Sequence, residues 1–264
     1  MPRLTKEKIK NKLIYHYRAF DRTTISPDPL EFPHRFKSPP DIEIAAFIAS
    51  VFAYGSVTQI LNTLEKVFEV MDNDPANFVL EYKLKKEGKL FKNLKHRFYT
   101  GEDIASLFAG LNKIYNIYGS LNYLFLLYYF EKAENIKGAL SFFSRNLSSI
   151  VSKEGNRQSD GIKFMFPDPL KGSACKRQNL FLRWMIRNDE LDFGLWKEIP
   201  ASKLIIPVDT HIAQISKYLK LTKRKNVSWQ MAEEITNNLK KFDPNDPVKY
   251  DFALCHIGMR KLKF

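Results

Sequence analysis

Two cysteines, Cys175 and Cys255, are too few for a disulfide framework or for a four-thiolate metal or iron–sulfur site. A chain so poor in cysteine is expected to keep its thiols reduced, in the cytoplasm. Long apolar runs are missing as well. The richest, Leu121 to Phe130, is too short to span a bilayer and is interrupted by Asn122, so it reads as a buried helix, and no membrane partner is expected. The N-terminal stretch MPRLTKEKIKNK lacks the apolar centre of a secretory signal. His34, His96 and His256 are scattered without ligand spacing, so no metal and no cofactor are expected. Alternating strand patterns, internal repeats and low-complexity tracts are also absent.

Acid is in short supply: 29 acidic side chains face 42 basic ones, a net charge of +13 over 264 residues. Such a surplus repels itself in a compact chain unless a polyanion belongs to the working environment. Nucleic acid is the favoured partner, with an anionic membrane surface as the competitor. Nothing in the composition bears on the oligomeric state.

Enough apolar material is present, 44% of residues with 14% aromatic, for a globular core. Its arrangement is helical throughout. Residues 5–20 form a basic amphipathic pattern, and a proline-rich connector runs over 21–40. Ser38-Pro39-Pro40-Asp41 opens a helix, Ser56-x-x-Gln59 and Thr100-x-x-Asp103 open two more as capping boxes, and Gly55 closes the first. Further helices are expected at 75–86, 120–131, 134–151, 176–187, 210–219, 229–241 and 247–259, the last capped by Asp246 with Pro247 in its first turn. Residues 152–172 read as loop. The class is all-α.

Two motifs carry the chemistry. Leu170-Lys-Gly-Ser-Ala-Cys-Lys176-Arg-Gln-Asn-Leu-Phe-Leu182 describes a tight turn feeding a helix N-terminus. Outward N–H groups and the helix dipole at such a turn suit a phosphate without reading sequence. Ile205-Ile206-Pro207-Val208-Asp209-Thr210-His211-Ile212 then places an aspartate at the start of another helix, 33 residues beyond Lys176.

The first motif resembles the hairpin of the helix-hairpin-helix DNA glycosylases, Leu-Pro-Gly-Val-Gly-x-Lys-Thr-Ala-Asn-x-x-Leu, through Leu170, Gly172, Lys176, Asn179 and Leu182. Lys171 stands where that pattern has proline and Ala174 where it has a second glycine, so the turn has less conformational freedom. The second motif is similar to the Pro/Ala-Val-Asp-Thr-His run that carries the catalytic aspartate in the same superfamily. The separation of lysine and aspartate is closer to that of the archaeal 8-oxoguanine glycosylases. Residues 42–69 are similar to the helix–turn–helix opening the glycosylase core, and 246–260, ending Cys255-His256-Ile257-Gly258-Met259-Arg260, to the helix preceding the cluster loop, but no cysteine quartet follows. Taken end to end, the chain also resembles an uncharacterised bacterial family through Asp28-Pro-Leu-Glu-Phe-Pro-His-Arg-Phe36.

The resemblance implies a two-lobed, all-helical DNA glycosylase-like fold with a helix-hairpin-helix and no iron–sulfur cluster. One lobe would be a helical barrel over 41–190 including the hairpin; the other would join 1–40 to 191–264. It implies DNA as partner, removal of a damaged base such as an oxidised purine, and abasic-site lyase chemistry with Lys176 as nucleophile and Asp209 as stabilising carboxylate. A lysine that attacks must be neutral, and the helix dipole together with Arg177 would favour that form. Lys171, Gly172, Ser173, Ala174 and Arg177, with Lys223, Arg224 and Lys225, would meet the DNA backbone. Phe52, Trp184, Arg183, Arg187 and His211 would line or support a base pocket.

Plainer readings stand beside these. Asp209 serves equally as an N-cap, Lys176 as a surface or phosphate-contacting lysine, and His211 as a hydrogen-bonding support. The stripe Phe181, Trp184, Met185 suits a core, and the basic run Lys83 to Arg97 a solvated face. Two other functions fit: a DNA- or RNA-binding module without catalysis, and a glycosylase in which Asp209 activates water while Lys176 holds phosphate.

Overall fold

Side-chain caps decide where most of the helices begin. In the computed structural model, which describes residues 5–259 and their side chains as far as His256, Thr5 caps α1 (Lys6–Arg18) and Ser38 caps α2 (Pro39–Phe52). Ser56 caps α3 (Val57–Val70) through the Gln59 amide. Three short 3-10 turns occupy the proline-rich connector before α2. Two short helices, α4 (Pro75–Glu81) and α5 (Leu84–Glu87), lead to α6 (Gly101–Tyr118). The cap of α6 is a full reciprocal box, in which Thr100 and Asp103 each accept from the other's backbone amide. Then come α7 (Leu121–Leu126), α8 (Lys137–Glu154) and α9 (Asp160–Met165). The chain ends with α10 (Lys176–Ile186), α11 (Thr210–Tyr218), α12 (Trp229–Leu239) and α13 (Asp251–Met259).

The protein is all-α. No strand forms among the described residues, where two isolated bridges, His96 with Tyr99 and Asn188 with Phe193, are the extent of β pairing. No described helix is long and apolar enough to cross a membrane.

Two expectations need correction. Residues 152–172 are not all loop: Ser159 accepts from the Ile162 amide and opens α9. The final helix starts at Asp251 and not at Pro247: residues 247–250 form a turn, and the Asp246 carboxylate expected as the cap is taken by Arg187. Arg260, the end of the last glycosylase-like stretch, lies outside the described residues, as do the side chains of Ile257 and Met259.

The chain divides into two compact units. Unit 1 takes Met1–Ile25, Glu134–Ile136 and Pro169–Phe264; unit 2 takes Ser26–Ala133 and Lys137–Asp168. The hairpin stretch and the Asp209 motif both fall in unit 1.

Unit 2 is organised around α2, buried on every side from Ile42 to Phe52. A helix apolar all round belongs in the middle of a core. Its one acidic member in that run, Glu43, accepts from the Tyr115 hydroxyl and from the Leu121 amide at 2.9 Å, so the buried carboxylate is satisfied. Phe91 stacks on Phe108 with centroids 4.7 Å apart, and α6 lies along α8. In unit 1, Trp184, Trp196 and Trp229 are fully buried, α11 and α1 both pack on α13, and Phe20 meets Phe252 edge to face.

The α6 and α8 helices approach closely at Gly110, where an added Cβ would sit 2.5 Å from Val151 Cγ2 and 3.1 Å from its Cα. Alanine is the better helix former by roughly 0.8–1.0 kcal/mol, but separating two packed helices costs about 1–3 kcal/mol. Gly110→Ala is therefore expected to lower the melting temperature; an unchanged or raised value in a calorimetric scan would refute this close contact.

Candidate functional site

The turn that opens α10 is built by its own side chains. Gly172, with φ +88, closes a tight turn by donating its amide to the Pro169 carbonyl at 3.1 Å. Cys175 also takes a left-handed conformation, φ +48, immediately before Lys176. Such a conformation costs an ordinary residue about 1–2 kcal/mol. Asn179 stabilises it, its side-chain amide donating to the Ala174 carbonyl at 3.0 Å while its backbone amide donates to Cys175. Ala174 itself keeps a negative φ, so the glycine missing from the motif is not needed at that position. The other face of the turn is fastened to α12, whose Trp229 amide donates to the Gly172 carbonyl at 3.0 Å.

Asp209 arrives from a different direction. Residues Leu204 to Val208 are buried, and Ile206 donates its amide to Thr236 Oγ1 at 3.0 Å. The carboxylate then caps α11: Oδ1 accepts from the His211 and Ile212 amides at 2.9 and 3.0 Å. That leaves Oδ2, and Lys176 Nζ lies 3.1 Å from it. Two residues remote in sequence, each at the first turn of a helix, thus form an ion pair within unit 1.

Electrostatics keep this aspartate ionised. Burial pushes its carboxyl up, but the Lys176 charge, the Ile212 amide, the Lys176 hydrogen bond and the His211 charge together hold it below the usual range. An ion pair this close favours the charged form of both members. Lys176 thus faces an anionic partner, which works against the neutral amine anticipated from Arg177 and the helix dipole. The side chains of the pair are 32% and 21% exposed, and so wet a pair contributes at most about 1 kcal/mol to stability. Folding alone is a weak reason for it.

Lys176 heads a charged face. Residues seven and eleven places along an α-helix return to within about 20° of the starting direction, which aligns Arg183 and Arg187 with it. Both arginines are buried and ion-paired, Arg183 to Asp192 at 3.1 Å and to Asp251 at 2.6 Å. Arg187 meets Asp192, Asp246 at 2.8 Å and Asp189 at 2.7 Å, and the Tyr17 hydroxyl also donates to Asp189. These carboxyls differ in state. Burial drives Asp251 up to about 6 despite Arg183, with the Asp209 charge adding to the rise and Lys176 opposing it. Burial likewise leads in raising Asp192, whereas at Asp189 the burial effect is overcome by Arg187 and two backbone amides, which bring it down to about 2.

Asp251 escaped the sequence reading. It stood within a helix taken to begin at Pro247, and the complementary signs of Arg183 and Asp251, 68 residues apart, carry no local pattern.

Several other candidates have placements that alter their use. Arg183 and Arg187, expected at a phosphate or a base, are committed to carboxylates in the interior, and Arg177 is buried too. Trp184 is fully buried in unit 1. Phe52 is a core residue of unit 2, packed against His96 and Tyr99. Each of these is held inside by packing or ion pairing. His211 is exposed, Lys171 and Gly172 are exposed, Ser173 is half-buried and Ala174 is buried. Lys223, Arg224 and Lys225 are exposed on the loop that ends at Trp229; Arg224 pairs there with Glu234 at 3.2 Å, and Lys217 holds the Lys225 carbonyl. Among the described residues no three His, Cys, Asp or Glu side chains converge as a metal-ligand set, and Cys175 and Cys255 form no disulfide.

A family described as "Protein of unknown function (DUF2400)" matches residues 28–260. No curated protein and no solved structure matches the chain.

The raised Asp251 carboxyl has a consequence for stability. Its folded-state value, about 6, exceeds the ordinary 3.8, so its contribution is intact below 3.8 and is lost as pH rises toward 6. The stability advantage of the wild type over Asp251→Asn is expected to shrink across that interval in chemical denaturation. An advantage that grows with pH would contradict the assignment.

Proposed function

The chain belongs to the DUF2400 family, and we propose that it is a DNA base-excision enzyme, a glycosylase with abasic-site lyase activity on a helix-hairpin-helix scaffold. The observation that carries this reading is the Lys176–Asp209 pair, partly exposed at the first turns of α10 and α11. Cleaving a base from deoxyribose builds positive charge on the sugar, and an ionised carboxylate fixed by backbone amides offers stabilisation where that charge appears. The ammonium contributes the complementary part. When the C1′–N bond breaks, its electron pair leaves with the base, which needs a proton; Lys176 can give one and become the amine that attacks C1′. The C1′–O4′ bond then breaks, O4′ leaving as a hydroxyl with the proton released from Nζ, to give a Schiff base; loss of a C2′ proton from it expels the 3′-phosphate by β-elimination and opens the strand.

Support for DNA as the substrate comes from the surroundings. The Gly172 turn and the loop bearing Lys223, Arg224 and Lys225 are tied together through the Trp229 amide, so an amide-rich turn and a basic loop belong to one part of unit 1. The net charge of +13 suits a polyanion.

A second reading is favoured by the resting ion pair itself. If Lys176 stays an ammonium, Asp209 would activate water, giving a monofunctional glycosylase.

Borohydride trapping on a duplex with one abasic site separates the possibilities. The expected result is a covalent adduct from the wild type and none from Lys176→Ala. Asp209→Asn is expected to slow adduct formation by about 10²–10³ while keeping the fold, since asparagine caps a helix as well as aspartate. Base release without an adduct, screened first on oxidised purines, would establish the monofunctional reading. Salt-sensitive binding with neither adduct nor base release would sink both and leave a nucleic-acid-binding module.

A further inference from the structure

Unit 2 carries a feature that the ion pair of unit 1 does not use. His96 and Tyr99 are paired by two backbone hydrogen bonds, at 3.0 and 2.8 Å, and present Arg97 and Phe98 as a two-residue tip. The bases of this turn are rigidly seated. The His96 ring lies 3.0 Å from both the Tyr54 carbonyl and Thr63 Oγ1, and the Tyr99 hydroxyl donates to the Val51 carbonyl at 3.2 Å. Arg97 is held at φ +51, a left-handed conformation unfavourable for a long side chain.

What this turn displays is aromatic and cationic. Phe98 is 54% exposed and Tyr54, on the loop between α2 and α3, is 37% exposed. Their rings lie 6.2 Å apart, and Phe164 stands 4.9 Å from each. The Arg97 guanidinium sits over the Tyr54 ring at 4.7 Å. Its stem packs so closely on the neighbouring glycine that a Cβ at Gly55 would meet Arg97 Cδ at 2.9 Å. The run leading to the tip, 83–97, contains seven basic residues and a single acid, Glu87; Lys92 and Lys95 within it are exposed.

An exposed aromatic cluster surrounded by negative charge, or by none, would suit an apolar partner. Here the chain leading into the tip is basic, and a guanidinium plane is already stacked on one of the rings. Flat, π-faced units strung along a polyanion match both features, because bases stack on aromatic rings and guanidinium planes irrespective of sequence while phosphates meet the lysines. The left-handed Arg97 is then intelligible as stored strain at a working position, since a relaxed turn would use glycine there.

The geometry points to Tyr54, Arg97, Phe98 and Phe164 as a stacking platform for unpaired bases of a nucleic-acid strand, with Lys92 and Lys95 meeting its phosphates. The inference deepens the DNA reading above and rests on it for the choice of DNA as the strand, but not for any role of Lys176.

Fluorescence anisotropy at fixed ionic strength tests it, with a labelled oligothymidine and a tetrahydrofuran phosphate oligomer of equal length and charge that has no bases. The wild type is expected to bind the oligothymidine roughly ten-fold more tightly, within the range that aromatic stacking supplies per base. Phe98→Ala and Arg97→Gly are expected to lose that preference. Arg97→Gly relieves the left-handed strain, so its melting temperature is expected to hold or rise, which separates lost binding from lost folding. Lys176→Ala is expected to keep the preference, so failure of catalysis and failure of the platform are read independently. Equal affinity of the wild type for both oligomers, or a preference that survives in both variants, would overturn the proposal; the first outcome would mean a surface that responds to charge alone.

Discussion

Two guanidinium groups without water around them decide how α10 can sit. Arg183 and Arg187 are 2% and 4% exposed. Removing a charge from water costs several kcal/mol per ion unless excellent geometry offsets it. The offset comes from four aspartates: Asp192 lies between the two arginines, Asp251 holds the inner one, and Asp246 and Asp189 hold the outer one. A guanidinium fork accepts few approach directions. Turning α10 by one residue would swing both forks about 100° away from their partners, so the network sets the rotation of the helix. Lys176 shares that face, and its direction follows. A weak, wet ion pair at the helix start is therefore aimed by a strong, dry one two turns further along.

The same network explains a large part of what could and could not be read from the sequence. Helix starts were legible where a short polar side chain precedes an apolar stripe, because capping is a local bargain between a hydroxyl or carboxyl and an amide two or three residues on; Ser38, Ser56, Thr100 and Asp209 all follow it. Lys176 and Asp209 were legible for a related reason, since each sits in a compact motif. The partners of Arg183 and Arg187 were not legible. Helical spacing gives the direction in which a side chain leaves the axis, but not what waits there, and their partners are supplied by a loop and by α13. Arg187 hid the start of α13 in a similar way: it takes the Asp246 carboxylate, which a capping-plus-proline pattern at Asp246-Pro247 assigns to the helix, and that partner is 59 residues away.

Departures from a motif matter less when the geometry is supplied by other means. The glycosylase-like turn lacks a second glycine, yet the positive φ values fall at Gly172 and Cys175, and the Asn179 side chain ties the intervening carbonyl. The asparagine shared with the glycosylase hairpin thereby has a structural task that a sequence comparison alone leaves unassigned. Lys171, in place of proline, ends a 3-10 turn and stays in solvent, where a charge costs nothing.

Asp209 joins the two kinds of evidence, because capping and chemistry draw on different atoms of the same group. Oδ1 is occupied by two backbone amides, which fix the plane of the carboxylate and, with the positive end of α11, favour its anionic state. Oδ2 faces Lys176. If the lysine were to swing away or lose its proton to a departing base, the two amides would still hold the anion in place. A carboxylate oriented by its own helix needs no reorganisation as charge develops beside it, and that is the condition under which electrostatic stabilisation is most effective. The plain reading of Asp209 as a cap and the functional one are thus not rivals. Capping is what would make the group usable.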